Sequence, residues 1–392
     1  MKILFYRYGS ICEPDVMEAF EKLGLEVIEE KTEIENKGLT AADQVKLVSR
    51  RIEDERPLFV FSINFFPAIA EVCHLYGIKY GCWTVDSPVM ELFSRSITQE
   101  TNRIFLFDRA QFERFSPFYP EGIRHLPLAS AVERFNRVIE GITEEDRKRY
   151  SSNISFVGSL YSEKNPLNRI ELPGEYERGY IRGIVEASLK VMGYNFMEEA
   201  ITDRVTEALK KADPAFYQRK DLLEDCSRYA AAHEYLGMQA AETERMRTLN
   251  TLAEYFDVEL YTRSDTSELK KVHVHGGIRT LDEMPKVFHL SKINLNMTIK
   301  PIQTGLPLRI FDILGCGGFL MTNYQQELTE HFEIGADLEA YTSLEELVDK
   351  CAYYLQHEDE RIRIARNGYE KVKQYHTYVN RMAEILRGIL ES

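Results

Sequence analysis

Residues 305–323 read Gly-Leu-Pro-Leu-Arg-Ile-Phe-Asp-Ile-Leu-Gly-Cys-Gly-Gly-Phe-Leu-Met-Thr-Asn. The order predicts a glycine-containing loop, a short helix, a glycine stop and a buried strand. Pro307 pre-sets φ and suits a first helical turn. Ile310, Ile313 and Leu314 then share one apolar face, at i, i+3 and i+4. Gly317 and Gly318 stop the helix, and Phe319 to Met321 open the strand. A helix N-terminus behind a loop attracts anions. Arg309 offers a forked cation for phosphate oxygens. Asp312, three residues on, offers an acceptor for two neighbouring ribose hydroxyls. Gly305, Leu306, Arg309 and Asp312 together suit a nucleotide-sugar. The competing reading is a surface helix with an ordinary i,i+3 ion pair.

Outward from this stretch, apolar runs alternate with helical patterns. The first 135 residues or so give apolar strands at Ile3 to Tyr6, Glu26 to Glu29, Leu58 to Ile63, Tyr80 to Val85 and Ile104 to Phe107, with a sixth expected over Arg124 to Leu128. Helical patterns separate them, so a parallel sheet covered on both faces is expected. Ligands of such sheets sit at the carboxyl ends of the strands. The residues there are Arg7, Tyr8 and Gly9, then Asn64, then Asp86, then Asp108. Asp86 lies in Trp83-Thr84-Val85-Asp86-Ser87-Pro88, which holds the only tryptophan. It is read either as a general base or acceptor ligand, or as a helix cap. Asp108 carries the same two readings.

The charged stretch Glu140 to Ser152 reads as a linker, and Glu144 to Arg149 within it as solvated. Ile154 to Val157 opens a second α/β unit with the turn Gly158-Ser159-Leu160-Tyr161, where glycine lets a backbone approach a phosphate. It is not the dinucleotide fingerprint, since GxGxxG is absent. Tyr176 to about Tyr255 is almost wholly helical, a long insertion for a crossover. Strands resume at Val258 to Thr262, with Arg263 at the end placed to reach a diphosphate, and at Val272 to Val274. After a helix at Leu281 to Leu290 and a strand at Ile293 to Met297 comes the opening stretch. Helices at Leu344 to Gln356 and Asp359 to Ile389 close the chain. His273 and His275 alternate on one strand face, yet nothing is spaced to complete a metal site, and there is no DxD pair.

Composition bounds the function classes. At 392 residues two domains are the prior. A net charge of −14 argues against a general nucleic-acid binder. The six cysteines have no CxxC spacing, so neither zinc nor a redox motif is suggested, and reduced core residues fit. The most apolar window, Leu58 to Val72, is broken by Ser62, Asn64 and Pro67 and is too short for a bilayer. A cytoplasmic protein with no transmembrane segment is expected.

These residues resemble the CgeB-like, or spore-maturation-protein-like, glycosyltransferases of the GT-B fold. The markers are Trp83 to Pro88, then Phe156-Val157-Gly158-Ser159, then Pro307 to Thr322. The last is similar to the nucleotide-sugar motif of group 1 glycosyltransferases, Glu-x7-Glu followed by a small-residue helix and Cys-Gly. Asp312 stands at the second glutamate, which binds ribose, and Cys316-Gly317 falls on Cys-Gly. Thr304 stands at the first glutamate, so that acid is missing.

The resemblance implies an α/β protein of two facing Rossmann-like domains with the active site between them. Residues 1–150 would form the acceptor domain. Residues 151–375 would form the nucleotide-sugar domain, with the helical insertion at about 176–255. Residues 376–392 would carry a helix crossing back to the first domain. A metal-independent sugar transfer from a nucleoside diphosphate sugar to a protein or glycan acceptor is the activity expected. Gly158, Ser159, Tyr161, Arg263, Gly305, Leu306, Arg309 and Asp312 would hold the donor; Tyr8, Gly9 and Asn64 would line the acceptor side. Asp86 and Asp108 are the catalytic candidates, and neither a metal nor another cofactor is expected. The helical insertion would cover the acceptor side or form a homo-oligomer contact. Two rivals remain: a non-catalytic nucleotide-sugar-binding scaffold, and a sugar-nucleotide epimerase on the same fold.

Overall fold

The apolar runs before residue 130 become six parallel strands in a computed structural model that describes residues 1–172, 174–217 and 221–391. They are β1 (Lys2–Tyr6), β2 (Glu26–Glu30), β3 (Phe59–Ile63), β4 (Lys79–Trp83), β5 (Asn102–Leu106) and β6 (Ile123–His125), ordered β2-β1-β3-β4-β5-β6. All five residues of β3 are buried, as expected of a central parallel strand with helices on both faces. The register pairs Tyr6 with Ser62, Ser62 with Cys82, and Ile63 with Trp83. The residues that follow β1, β3 and β4 therefore emerge side by side.

A second parallel sheet contains β7 (Ser152–Val157), β8 (Val258–Tyr261), β9 (His273–Val274), β10 (Ser291–Asn296), β11 (Leu320–Asn323) and β12 (Glu339–Tyr341). Its order is β12-β11-β10-β7-β8-β9. The chain divides into two compact units. One comprises Met1–Ala129 with 221–225 and 376–391; the other comprises 130–217 and Cys226–Tyr375.

The structure corrects three expectations. The stretch read as a linker is helical from Glu144 to Tyr150. Thr143 and Asp146 form a capping box, with three acids in the first turn and three bases in the last, which complements the helix dipole. Nor is its charge run wholly solvated, because Lys286 Nζ lies 2.9 Å from both carboxylate oxygens of Asp146.

The helix expected over Asp359 to Ile389 is two helices, Glu358–Tyr375 and Tyr378–Leu390. Thr377 breaks the run: its hydroxyl accepts from the Asn380 amide, and the Asn380 side chain accepts from the Thr377 amide. That reciprocal cap starts a new helix where apolar periodicity alone reads through.

The last helix packs into the first unit. Arg381 Nε donates to the Pro127 carbonyl at 2.7 Å. Tyr378 meets the ring of Trp83 edge-on at 6.1 Å. Gly81 makes room for Ile389, whose Cδ1 would lie 2.5 Å from a Cβ added there.

The expected helical insertion contains Glu175–Ser188, Met197–Ala200, Asp203–Ala212, Ser227–Ala230, a π-helical turn at Ala231–Leu236, and Gly237–Leu252. It is not helical throughout. Residues 221–225 join the first unit, where Leu223 N donates to Phe93 O and Arg95 N donates to Asp221 O, both at 2.8 Å. Residues 218–220 of that segment, like Pro173 and Ser392, lie outside the described residues. All six cysteines are buried thiols. No helix among the described residues is long and apolar enough to cross a membrane.

Candidate functional site

In the first unit, Asn64 follows β3 directly and sits in the left-handed region at φ 59°, where asparagine is among the few side chains tolerated. Its amide is fully committed. Nδ2 donates to the Tyr8 hydroxyl at 2.8 Å and to Asp86 Oδ2 at 2.7 Å, while Oδ1 accepts from the Val85 amide at 3.0 Å. The three loops after β1, β3 and β4 are thereby tied into one polar cluster. Asp86 is exposed. Burial pushes the Tyr8 phenol upward, and the Asp86 charge adds to it. The capping reading of Asp86 does not hold, since the next helical turn, Met90–Phe93, has Val89 at its N-cap.

Asp108 follows β5. It is fully buried at the N-cap of the helix Arg109–Phe115, accepting from the Ala110 amide at 3.1 Å. Its competing reading, as a cap, is the one the geometry gives.

Glu13 is a residue the sequence reading missed. It is fully buried, and its Oε1 accepts from the amides of Tyr8, Gly9 and Ser10 at 3.0, 2.9 and 3.0 Å. Its Oε2 pairs with Arg7 Nε at 3.0 Å. The carboxylate fills a nest of backbone N–H groups and fixes the loop that presents Tyr8. The only sequence signal is an acid opening the helix Glu13–Lys22 immediately behind the turn.

In the second unit, the turn after β7 is pinned from two sides. Gly158 N donates to Tyr261 O at 3.1 Å, and Leu160 N donates to Ser264 Oγ at 2.7 Å. Ser159 Oγ accepts from the Tyr161 amide at 2.8 Å and lies 2.7 Å from Glu163 Oε1. Tyr161 has a left-handed backbone, φ 70°.

Arg245, on the helix Gly237–Leu252, was also missed. It donates to the carbonyls of Ser159 at 2.5 Å and Met297 at 2.7 Å, and its guanidinium stacks on Tyr161 at 4.5 Å and Phe156 at 5.3 Å. Burial lowers its pKa. Beside it, burial pushes the Glu244 carboxyl up against the pull of Lys300 and Arg245, and pushes the Lys300 ammonium down. This charged group sits at the carboxyl ends of β7, β10 and β11. Nothing in the linear sequence marks Arg245, because its partners lie far away along the chain.

Arg263 is exposed and lies across Gly277, where an added Cβ would come within 2.4 Å of Nε. Only glycine allows that approach. His273 Nδ1 is 2.9 Å from Glu259 Oε1, and His275 Nε2 bonds the other oxygen. His275 also stacks on Tyr261 at 4.7 Å. Among the described residues no group of three or more His, Cys, Asp or Glu side chains is arranged to hold a metal.

The opening stretch folds as a buried Gly305 and Leu306, an N-cap at Pro307 and the helix Leu308–Gly315. Gly317 adopts φ 68° and ends it. Arg309 and Asp312 form a partly exposed pair, Nη1 to Oδ2 at 3.2 Å, and the guanidinium also lies 5.2 Å from the Phe288 ring. Arg309 is thus already engaged, with partial burial lowering its pKa against the pull of Asp312. Thr304 Oγ1 donates to Glu327 Oε1 at 2.8 Å. A carboxylate from the loop after β11 therefore stands beside the position where the first glutamate is missing.

Two six-stranded parallel sheets of this kind, each flanked by helices, define the GT-B fold. The sequence matches the family model described as glycosyl transferase-like over residues 245–387. A glycosyltransferase from Rickettsia africae superposes with a TM-score of 0.56 at 11% identity, over 100% of this chain and 99% of that one. HepE from Anabaena, solved in complex with UDP-glucose, gives 0.55 at 10% identity over 100% of both chains. UDP-GlcNAc 2-epimerase from Neisseria meningitidis, bound to UDP-GlcNAc, gives 0.51 at 9% identity over 100% of both. No curated protein matched the sequence.

Proposed function

We propose that the protein is a glycosyltransferase that moves a sugar from a nucleoside diphosphate sugar to a hydroxyl-bearing acceptor, without a metal, and that it belongs with the CgeB-like enzymes. The observation that carries the reading is the helix Leu308–Gly315. It follows the carboxyl end of β10 with a partly exposed Asp312 on it, inside the segment matching the glycosyl transferase-like family. Asp312 would accept from the ribose hydroxyls. Gly158, Ser159, Tyr161 and Arg263 would meet the diphosphate, where leaving-group charge develops. Arg309 would act there only by exchanging its Asp312 pairing for a phosphate. Asp86 would take the acceptor proton as the new glycosidic bond forms and the nucleoside diphosphate departs. Tyr8 and Asn64 would hold the acceptor and the base. A protein or glycan acceptor and a cytoplasmic site of action complete the proposal.

The test is a thermal-shift screen with UDP, GDP, dTDP and their sugars, followed by nucleoside diphosphate release with and without acceptors. A ligand bound only by the folded state raises its stability by mass action. No shift with any nucleotide would sink the reading. Thr304 in place of a glutamate favours a second reading, a non-catalytic nucleotide-sugar-binding scaffold, which would bind donor and release nothing. An epimerase would interconvert donors with no acceptor present.

A further inference from the structure

A cavity of about 350 Å³ opens in the second unit at the amino ends of β10 and β11, the edge opposite the carboxyl ends that carry the donor candidates. Its ionisable walls are unusual for a chain of net charge −14. Arg361, Arg366 and His289 line it, with no aspartate or glutamate among the lining residues. Arg361 is nearly buried, its Nη1 bound to the Lys292 carbonyl at 3.1 Å and its Nη2 3.6 Å from Glu358 Oε1, while its buried Nε has no hydrogen-bond partner. Arg366 is exposed and makes no ion pair or hydrogen bond among the described residues. Phe319 and Ile362 add apolar wall, and Asn136 and Tyr369, hydrogen-bonded to each other at 2.9 Å, add polar groups.

We propose that this cavity is a binding site for a small phosphate monoester with an apolar body. The Arg366 guanidinium, unpaired among the described residues, and the Arg361 Nε left over from the Lys292 and Glu358 contacts supply charge-assisted donors for an anionic head group, and the apolar wall sets a preference for an ester over free phosphate. The placement gives the site a mechanical connection. Cys316 and Gly317, which line the cavity, close the helix that carries Arg309 and Asp312. His289 Nδ1 lies 3.0 Å from the Cys316 carbonyl oxygen, and its chain neighbour Phe288 lies under Arg309. A ligand here would touch the far ends of both helices that shape the Arg309–Asp312 pair.

The probe is phenyl phosphate, titrated by calorimetry into the full chain. Saturable binding is expected, stronger than for inorganic phosphate or phenol alone. Arg366→Glu should weaken it by about tenfold or more, the loss expected for one charge-assisted contact. Arg366 is exposed, so this variant tests the site without disturbing the core. Arg263→Ala should leave phenyl phosphate affinity unchanged, because Arg263 lies at the opposite edge of the sheet. Absence of binding, equal affinity in Arg366→Glu, or a loss in Arg263→Ala instead would each overturn the proposal. None of these readouts depends on glycosyl transfer or on nucleotide binding.

Discussion

Asn64 Nδ2 bridges Asp86 and Tyr8, 2.7 Å from the carboxylate and 2.8 Å from the hydroxyl. One side-chain amide, on a strained backbone, thus sets the distance between a candidate base and a candidate acceptor ligand. If Asp86 is the base, Asp86→Asn should lower turnover by about 100- to 10,000-fold and leave donor affinity nearly unchanged. Asn64→Ala should fall between that variant and the wild type. Turnover and nucleotide affinity measured on the same preparation separate these outcomes; a near-normal rate in Asp86→Asn would remove it as the base.

Asp312→Asn should weaken nucleoside diphosphate binding by about 1.5–3 kcal/mol, the loss of a charged hydrogen-bond acceptor. Because Asp312 also pairs with Arg309, the same substitution frees the guanidinium and should raise the salt sensitivity of binding. Calorimetry at two ionic strengths checks both effects. Unchanged affinity in a folded variant would place Asp312 outside the donor site.

Turnover should survive a chelator such as EDTA, since the proposed leaving-group contacts are backbone, hydroxyl and guanidinium. An activity abolished by chelation and restored by manganese would contradict the metal-independent mechanism.

Asp146 offers a pH test of the corrected linker. The Thr143 backbone bond, and then Lys286, lower its pKa from the ordinary 3.8 to about 2. A depressed carboxylate contributes stability that is fully present above its unfolded pKa and disappears as pH falls through the folded value. The stability gap between wild type and Asp146→Asn should therefore be constant above about pH 5 and close as pH falls toward 2. Urea titrations across that range measure it, and a pH-independent gap would mean the contact does not depend on charge.

Gly81→Ala should destabilise the first unit by about 1–3 kcal/mol through overpacking, because the new methyl meets Ile389 Cδ1. Ile389→Val removes that methyl and should recover part of the loss. Denaturation of both single variants and the double variant reads the coupling; strict additivity would show that the two side chains do not compete.

Much of the architecture is legible in the sequence because parallel strands buried on both faces leave uninterrupted apolar runs, as Phe59–Ile63 does. The glycine stop at Gly317 is legible for a similar reason, since few other residues adopt its φ. Residues 376–377 are not: Thr377 and Asn380 look like polar members of an amphipathic helix until their reciprocal bonds are seen. The helical insertion hides the segment 221–225, whose pairing with Phe93 and Arg95 is non-local. At the candidate site, strand-end residues such as Asn64 and Asp86 can be found from topology alone. Glu13, Arg245 and Glu327 cannot, because their roles come from partners that the fold, rather than the spacing, brings near. Asp108 shows the converse, a strand-end carboxylate whose acceptance from the Ala110 amide is a helix cap that local sequence also offers.

The return of Tyr378–Leu390 to the first sheet has a consequence for biosynthesis. A ribosome releases β1 before the second unit and this helix only after it. Domains usually fold as they emerge, but here the groove over Gly81 and Trp83 must stay uncovered until the whole second unit has been synthesised. A nascent chain halted before Thr377 would carry a complete second sheet and an unsealed first one. That open apolar surface is one a chaperone would have to shield during synthesis.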